Sequence, residues 1–235
     1  MKTLLNAMFS SILLTSATFS AYAQDTQYAG KAYDLKTDEL VYSEHHDVTY
    51  KNDTLFERKV TYKTPDDKTF ATKDNRYTNA VTTPEFTLKD TRINYQETAS
   101  YDGERWTLSY TEDGEIKSKE IGKPDNTPVI DAGFDEFVRA NWEKLLKDKT
   151  VRFSFAVPSR LEWVDFRLIP KKHTDTELRV EMRLESRMLS WLMDPVQLTY
   201  EISTKRLLRY QGLTNILNTS EESIYADIRY EYPKD

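Results

Sequence analysis

Two stretches of alternating apolar and polar residues dominate the chain, and they flank one segment with helical spacing. The first stretch covers residues 40–121 and includes Asp102-Gly103, a two-residue link typical of a β-hairpin. The second covers residues 151–232 and alternates still more regularly. Alternation of this kind turns one face of a strand toward a core and the other toward water, so we predict about ten to twelve antiparallel strands.

The segment between the two stretches, residues 131–147 (DAGFDEFVRANWEKLLK), carries the strongest helical pattern. Its large apolar residues recur at the spacing of one helix face. Asp131 is the predicted N-cap, and acidic residues in the first turn and lysines in the last turn oppose the helix dipole. A helix with such an apolar face must bury it, and the partner that the pattern offers is β-sheet.

We therefore predict a mainly β (α+β) fold. A large curved antiparallel sheet, or a partly open barrel, would wrap around one central amphipathic helix at about residues 131–147. Two packed sheets with the helix capping one end are the alternative. Residues 39–235 would form a single β-rich domain, preceded by a polar lead-in over residues 24–38.

The first 23 residues have the pattern of a secretory signal peptide: Lys2, an apolar run and the cleavage pattern Ala21-Tyr22-Ala23. A membrane anchor is the alternative, but the apolar run is shorter than the ~20 residues of a spanning helix. We expect cleavage before Gln24, a mature chain without a transmembrane segment, and a location in a bacterial periplasm. The chain contains no cysteine, which excludes disulfides, thiolate metal sites and cysteine nucleophiles.

The net charge of the chain restricts the kinds of partner that it is expected to bind. The formal net charge is −6 with both signs well mixed, which argues against nucleic acid and against simple attraction to anionic lipid. The net charge does not exclude a hydrophobic ligand.

The sequence contains few residues whose pattern indicates a catalytic or metal-binding site. His45 and His46 are neighbours in a predicted strand and point to opposite faces, although Glu44 and His46 share a face. We favour an ordinary edge-strand pair over a metal or catalytic site. The chain has no G-x-S-x-G motif, and its six glycines form no phosphate-binding loop. No catalytic residue, metal site or cofactor is predicted, and an enzyme is not favoured.

The segment 186–193 joins two predicted strands yet is rich in large apolar residues. A short helical turn packed on the sheet explains it. The functional alternative is an apolar flap at the mouth of a cavity, in which Met188, Trp191 and Met193 would gate access for a hydrophobic ligand.

Several blocks resemble an uncharacterised family of exported bacterial proteins, for which no activity is known. The resemblance covers most of residues 84–232, and its blocks are PEFTLKDTRINYQE, VIDAGFDEFVRANWEKLL, FAVPSRLEWVDFRL, DPVQLTYE and RLLRYQGLTNI. The predicted layout is also similar, in architecture only, to periplasmic lipoprotein carriers, in which a curved sheet wraps a helix over a hydrophobic cavity. That resemblance implies a carrier-like role without identifying site residues.

Our leading hypothesis is a non-enzymatic periplasmic protein that binds an acyl chain or lipid between sheet and helix. The alternatives are an envelope protein–protein interaction module with a filled core and, less favoured, a hydrolase acting on envelope material. The expected lining residues are Phe134, Phe137 and Trp142 on the helix and Phe153, Phe155 and Phe166 on the sheet, with Met188, Trp191 and Met193 at the entrance.

Overall fold

The computed structural model describes residues 26–112, 114–171, 174–186 and 194–233. One large curved sheet of fifteen strands dominates these residues, and every strand pair except β9–β10 is antiparallel. The predicted signal peptide and the predicted gate residues Met188, Trp191 and Met193 lie outside the described residues.

The strands occur in two consecutive series separated by the helices. The first series comprises β1 Gln27–Asp34, β2 Leu40–Lys51, β3 Thr54–Lys63, β4 Thr69–Ala80, β5 Thr83–Asp90, β6 Tyr95–Tyr101, β7 Trp106–Glu112, β8 Glu115–Ile121 and the short β9 Pro128–Val129. The second comprises β10 Val151–Val157, β11 Glu162–Pro170, β12 Glu177–Leu184, β13 Val196–Glu201, β14 Leu207–Leu217 and β15 Ser223–Glu231.

The chain enters the sheet in its middle. Strand β1 pairs with β2 on one side and with β15 on the other, so the two series join into the order β8 to β1 followed by β15 to β9. This corrects the predicted lead-in over residues 24–38, because Gln27–Asp34 is a central strand. The segment has few large apolar residues, and pairing on both sides stabilises it instead. Gly30 allows the ring of Tyr230 to pack against the backbone, since a Cβ there would lie 2.8 Å from that ring.

The helical segment is shorter and more broken than predicted. Helix α1 spans Gly133–Ala140 and α2 spans Trp142–Leu146. They are separated by Asn141, which has a φ of −105° and a ψ of 11° and whose side-chain amide donates to the Phe137 carbonyl. One continuous central helix is therefore not confirmed. No helix within the described ranges is long and apolar enough to cross a bilayer.

Gly133 places the start of α1 against the β4–β5 turn. A Cβ at this position would lie 2.2 Å from the Thr82 carbonyl oxygen, and the same oxygen accepts a hydrogen bond from the Ile130 amide. Only a glycine permits this close approach. The contact holds the residues on either side of Gly133 over the inner face of the first series.

Two apolar clusters fill the interior. One belongs mainly to β2–β7, and the other joins the buried faces of α1 and α2 to β10–β13. In the second cluster the Phe137 and Phe153 rings lie 4.9 Å apart, and Trp142 meets Tyr200 edge-on at 5.9 Å. The alternation predicted for β10–β13 is therefore confirmed as an inward apolar face.

The outer ends of the two series approach each other without pairing as strands. The 3₁₀ turn Pro158–Arg160 between β10 and β11 contacts β6 and β7. Trp163 Nε1 donates to the Gly122 carbonyl at 2.7 Å, which ties β11 to the segment after β8. The sheet thus curls into a partly open, barrel-like shape.

Candidate functional site

The inside of the curled sheet contains a cavity of about 1200 Å³ with two unlike walls. The second series and the start of α1 provide a set of apolar side chains, although Glu162, Asp165 and Glu185 of that series also line the cavity. Strands β2–β4 and the segment around the start of α1 provide charged side chains. The apolar wall consists of Phe134, Phe155, Val164, Phe166, Met182, Leu184 and Val196. The polar wall, as we use the term, consists of Glu44, His46, Arg58, Lys73, Asp131 and Asp135.

The polar wall begins on β2, where Glu44 and His46 take alternate inward positions between the buried Tyr42 and Val48. His46 Nε2 lies 3.1 Å from Glu44 Oε2, and the Tyr230 hydroxyl donates to the same oxygen at 3.2 Å. Burial lowers the pKa of His46, so the neutral ring donates from Nε2 to the carboxylate.

Glu44 stays ionised within this arrangement. Burial raises the pKa of its carboxyl group, but the hydrogen bonds from His46 and Tyr230, together with the charge of the nearby Lys73, lower it more, and the net shift is downward. Strand β2 is central, not an edge strand, which corrects the edge-strand interpretation of His45 and His46. Within the described ranges, no three histidine or acidic side chains are arranged to hold a metal ion.

Arg58 on β3 links the wall to α1. It is 6% exposed, and its Nη1 donates to Asp135 Oδ2 at 3.1 Å. Arg139 Nη1 donates to Glu136 Oε1 at 2.5 Å on the same helix, and Glu136 Oε1 also lies 3.8 Å from Arg58 Nη2. Burial raises the pKa of Asp135, but Arg139 and Arg58 lower it more, so this carboxyl group is ionised.

Lys73 on β4 binds the loop before α1. Its Nζ donates to Asp131 Oδ1 at 3.2 Å, and amide nitrogens of Asn75 and Asn215 also donate to that carboxylate, at 3.0 and 3.2 Å. Burial lowers the pKa of Lys73, but Asp131 and Glu44 raise it more. Asp131 is therefore not the helix N-cap that we predicted: Ala132 holds that position, and Asp131 has a left-handed φ of 38°.

Stacked tyrosines border the polar wall on the β1 side. Tyr28 lies with its ring 4.2 Å from His46 and 4.9 Å from Tyr232, both nearly parallel. Burial raises the pKa of Tyr28 to about 12, so its hydroxyl is neutral at physiological pH. This layer packs on the imidazole of His46, and both Tyr28 and Tyr232 are among the residues that line the cavity.

Glu97 on β6 is an isolated buried carboxyl group in the cavity lining. The Tyr95 hydroxyl donates to Glu97 Oε1 at 2.6 Å, and Ser159 of the 3₁₀ turn interacts with the same carboxyl group. Burial raises the pKa of Glu97 to about 7. Glu97 thus lies where the two series of strands meet, and it changes charge near neutral pH.

The structure divides the predicted lining residues into two sets. Phe134, Phe155 and Phe166 line the cavity. Phe137, Trp142 and Phe153 are almost fully buried in the packing between helices and sheet. A ligand-binding role remains a prediction for all six.

Sequence reasoning missed most of the polar wall. It noted that Glu44 and His46 share a face, but it assigned no role to Arg58 or Lys73 and explained Asp131 and Asp135 as helix-start residues. One sequence signal was available: Tyr42, Glu44, His46 and Val48 have the same parity in one strand, so an apolar inward face would carry two ionisable groups.

The chain is similar to a β-barrel-like protein with a domain of unknown function, DUF1849, from Brucella abortus, with a TM-score of 0.46 and 6% sequence identity. The match covers 91% of this chain and 100% of that one. No family model matches the chain, and no curated protein matches it.

Proposed function

We propose that this protein is a non-enzymatic periplasmic binding protein that holds the hydrophobic part of a lipid in the cavity of its curled sheet. The cavity itself is the observation that carries the proposal. Protein interiors are close-packed and leave few voids larger than a water molecule, whereas the inside of this sheet holds a cavity of about 1200 Å³ that is partly open to solvent. Such a volume exceeds what most drug-sized ligands need.

The apolar wall supports a hydrophobic ligand. Phe155 and Phe166 are ring neighbours at 6.3 Å, and Met182 and Leu184 on β12 extend the same surface. Aromatic and flexible thioether side chains adapt to the irregular shape of an acyl chain. An export location is part of the proposal, and the signal-peptide pattern of residues 1–23 supports it.

Ligand binding can be tested with pyrene, an uncharged fluorescent hydrocarbon, and with mass spectrometry of lipids extracted from the purified protein. We expect extracted lipid and saturable pyrene uptake. Val164→Trp should reduce uptake about tenfold by filling the apolar wall, whereas Val81→Trp, at a position that is 43% exposed, should leave it unchanged. Absence of both lipid and pyrene uptake in the unaltered protein would overturn the proposal.

A hydrolase is the second candidate, and one observation favours it. Ionisable side chains converge on the cavity, and the pKa of Glu97, about 7, suits a general acid or base. The state of the recovered lipid separates the two candidates. Intact lipid supports the binding protein, and hydrolysed lipid that becomes intact in Glu97→Gln supports the hydrolase.

The filled-core interaction module is less well supported. Such a module would bind its partner through an exposed sheet edge. Strand β8 is an almost wholly exposed edge, but it presents Lys117 and Lys119. Lysines on an edge strand oppose pairing with another strand.

A further inference from the structure

The polar wall is costly as a purely structural element. Charged groups buried in pairs are often no more stabilising than apolar residues of similar volume. Here they line a cavity large enough for a ligand, together with the residues of the apolar wall. An amphipathic ligand would match both walls at once, with its chains on one side and its headgroup on the other.

The charges of the wall restrict that headgroup. Two cations, Arg58 and Lys73, are paired with Asp135 and Asp131, and Glu44 is a further carboxylate beside the neutral His46. Arg139 and Glu136, which extend the network, cancel each other. The wall therefore carries one net negative charge, which disfavours a ligand that brings only an anion into this site.

The accessible groups of the wall offer both hydrogen-bonding functions. Lys73 carries donors only, whereas the carboxylates Asp131 and Asp135 carry acceptors only. The side chains of Lys73, Asp131 and Asp135 are 13%, 11% and 14% exposed, so part of each is accessible from the cavity. A headgroup that pairs with this wall therefore needs an acceptor for the cation and a donor for the carboxylates.

We propose that the polar wall binds a zwitterionic phosphoethanolamine headgroup, with the phosphate near Lys73 and the ammonium group near Asp131 and Asp135. This inference rests on the proposed function, because the acyl chains would occupy the apolar wall. The phosphate accepts hydrogen bonds and the ammonium donates them. The headgroup adds no net charge to a wall that is already negative.

The test compares pyrene-labelled phosphatidylethanolamine with pyrene-labelled phosphatidylglycerol, offered in vesicles of otherwise identical composition. We expect the zwitterionic lipid to be taken up about tenfold more strongly than the anionic one, a difference of the order expected for one unmatched charge in a partly screened site. Soluble phosphoethanolamine should compete only weakly, because it lacks the acyl chains. Competition at equal concentration would assign the site to a soluble metabolite instead.

A charge variant sharpens the test. Asp131→Asn removes one negative charge and frees Lys73, and asparagine tolerates the left-handed φ at this position. It should raise phosphatidylglycerol uptake severalfold and bring the ratio of the two lipids toward one. Glu120→Gln changes the charge of the protein equally at a surface pair with Arg105 and should leave the ratio unchanged.

The outcomes separate the two levels of the proposal. Equal uptake of both lipids by the unaltered protein overturns the headgroup assignment but leaves the binding function intact. An unchanged ratio in Asp131→Asn, with circular dichroism and thermal unfolding like those of the unaltered protein, also overturns it. Failure to take up pyrene and either lipid overturns the binding function itself.

Discussion

The two halves of the sheet bury their inner faces by different means. In β10–β13 the inward residues are apolar apart from Tyr200. Some of them pack on α1 and α2 as an ordinary core, and the others line the cavity. In β2–β4 the inward positions mix apolar residues with Glu44, His46, Arg58 and Lys73. A fold needs only the first arrangement for stability. The second costs desolvation and requires partners, and the ligand that we propose for the cavity would account for it.

Shortening a buried side chain in the apolar half of the sheet should have the largest effect on stability. Phe153 is fully buried, and its ring contacts those of Phe134, Phe137 and Phe166. We expect Phe153→Ala to lower the free energy of unfolding by about 4 kcal/mol, because it leaves a cavity in a packed core. Urea denaturation followed by circular dichroism measures this loss.

A matched control is Phe155→Ala, which removes a half-buried ring from the cavity wall. It should cost about 1 to 2 kcal/mol, because the ring already borders empty space. An equal or larger loss at Phe155 would show that the two phenylalanines do not belong to different environments.

Breaking a charge pair in the polar half should have the next largest effect. Arg58→Met leaves Asp135 buried with only the more distant Arg139, at 3.9 Å, as a cationic partner. We expect a loss of about 3 kcal/mol in the free energy of unfolding. Calorimetry or urea denaturation at neutral pH checks this value.

The decisive comparison is with the double variant Arg58→Met, Asp135→Leu, which replaces the pair by apolar residues. It should recover most of the stability, because no charge then remains buried without its partner. If the double variant is as unstable as Arg58→Met alone, the pair is a structural requirement, and the contrast between the two halves loses its functional meaning.

The same contrast explains which parts of the fold the sequence predicts. Strands β10–β13 alternate cleanly, and a hairpin forms at Asp102-Gly103, although Tyr101 lies opposite Trp106, so the connection has four residues and not the predicted two. Both signals are local. They depend on side-chain parity and on turn geometry, which a few neighbouring residues determine.

The polar wall depends on partners that are distant in sequence. Arg58 and Asp135 are 77 residues apart, and Lys73 and Asp131 are 58 apart. Without those partners, a charged residue in an alternating strand is expected to face water. The same ambiguity affects Asp131: its position before a helical pattern is typical of an N-cap, but the tertiary contact with Lys73 and two asparagines determines its conformation.

An effect smaller than those of Phe153→Ala and Arg58→Met is expected for Glu97, where the two series of strands meet. Its pKa is raised by burial from 4.5 to about 7, so the folded protein binds a proton more tightly there than the unfolded chain does. Stability from this group is present below pH 4.5 and is lost as the pH rises toward 7.

The variant Glu97→Gln tests this, because glutamine cannot ionise. Between pH 5 and pH 8 its free energy of unfolding should fall by about 2 kcal/mol less than that of the unaltered protein. Urea denaturation of both proteins at the two pH values measures this difference, and Glu120→Gln on the exposed β8 should follow the unaltered protein. Parallel pH profiles for Glu97→Gln and the unaltered protein would mean that Glu97 is solvated, and the junction between the halves would then be open to water.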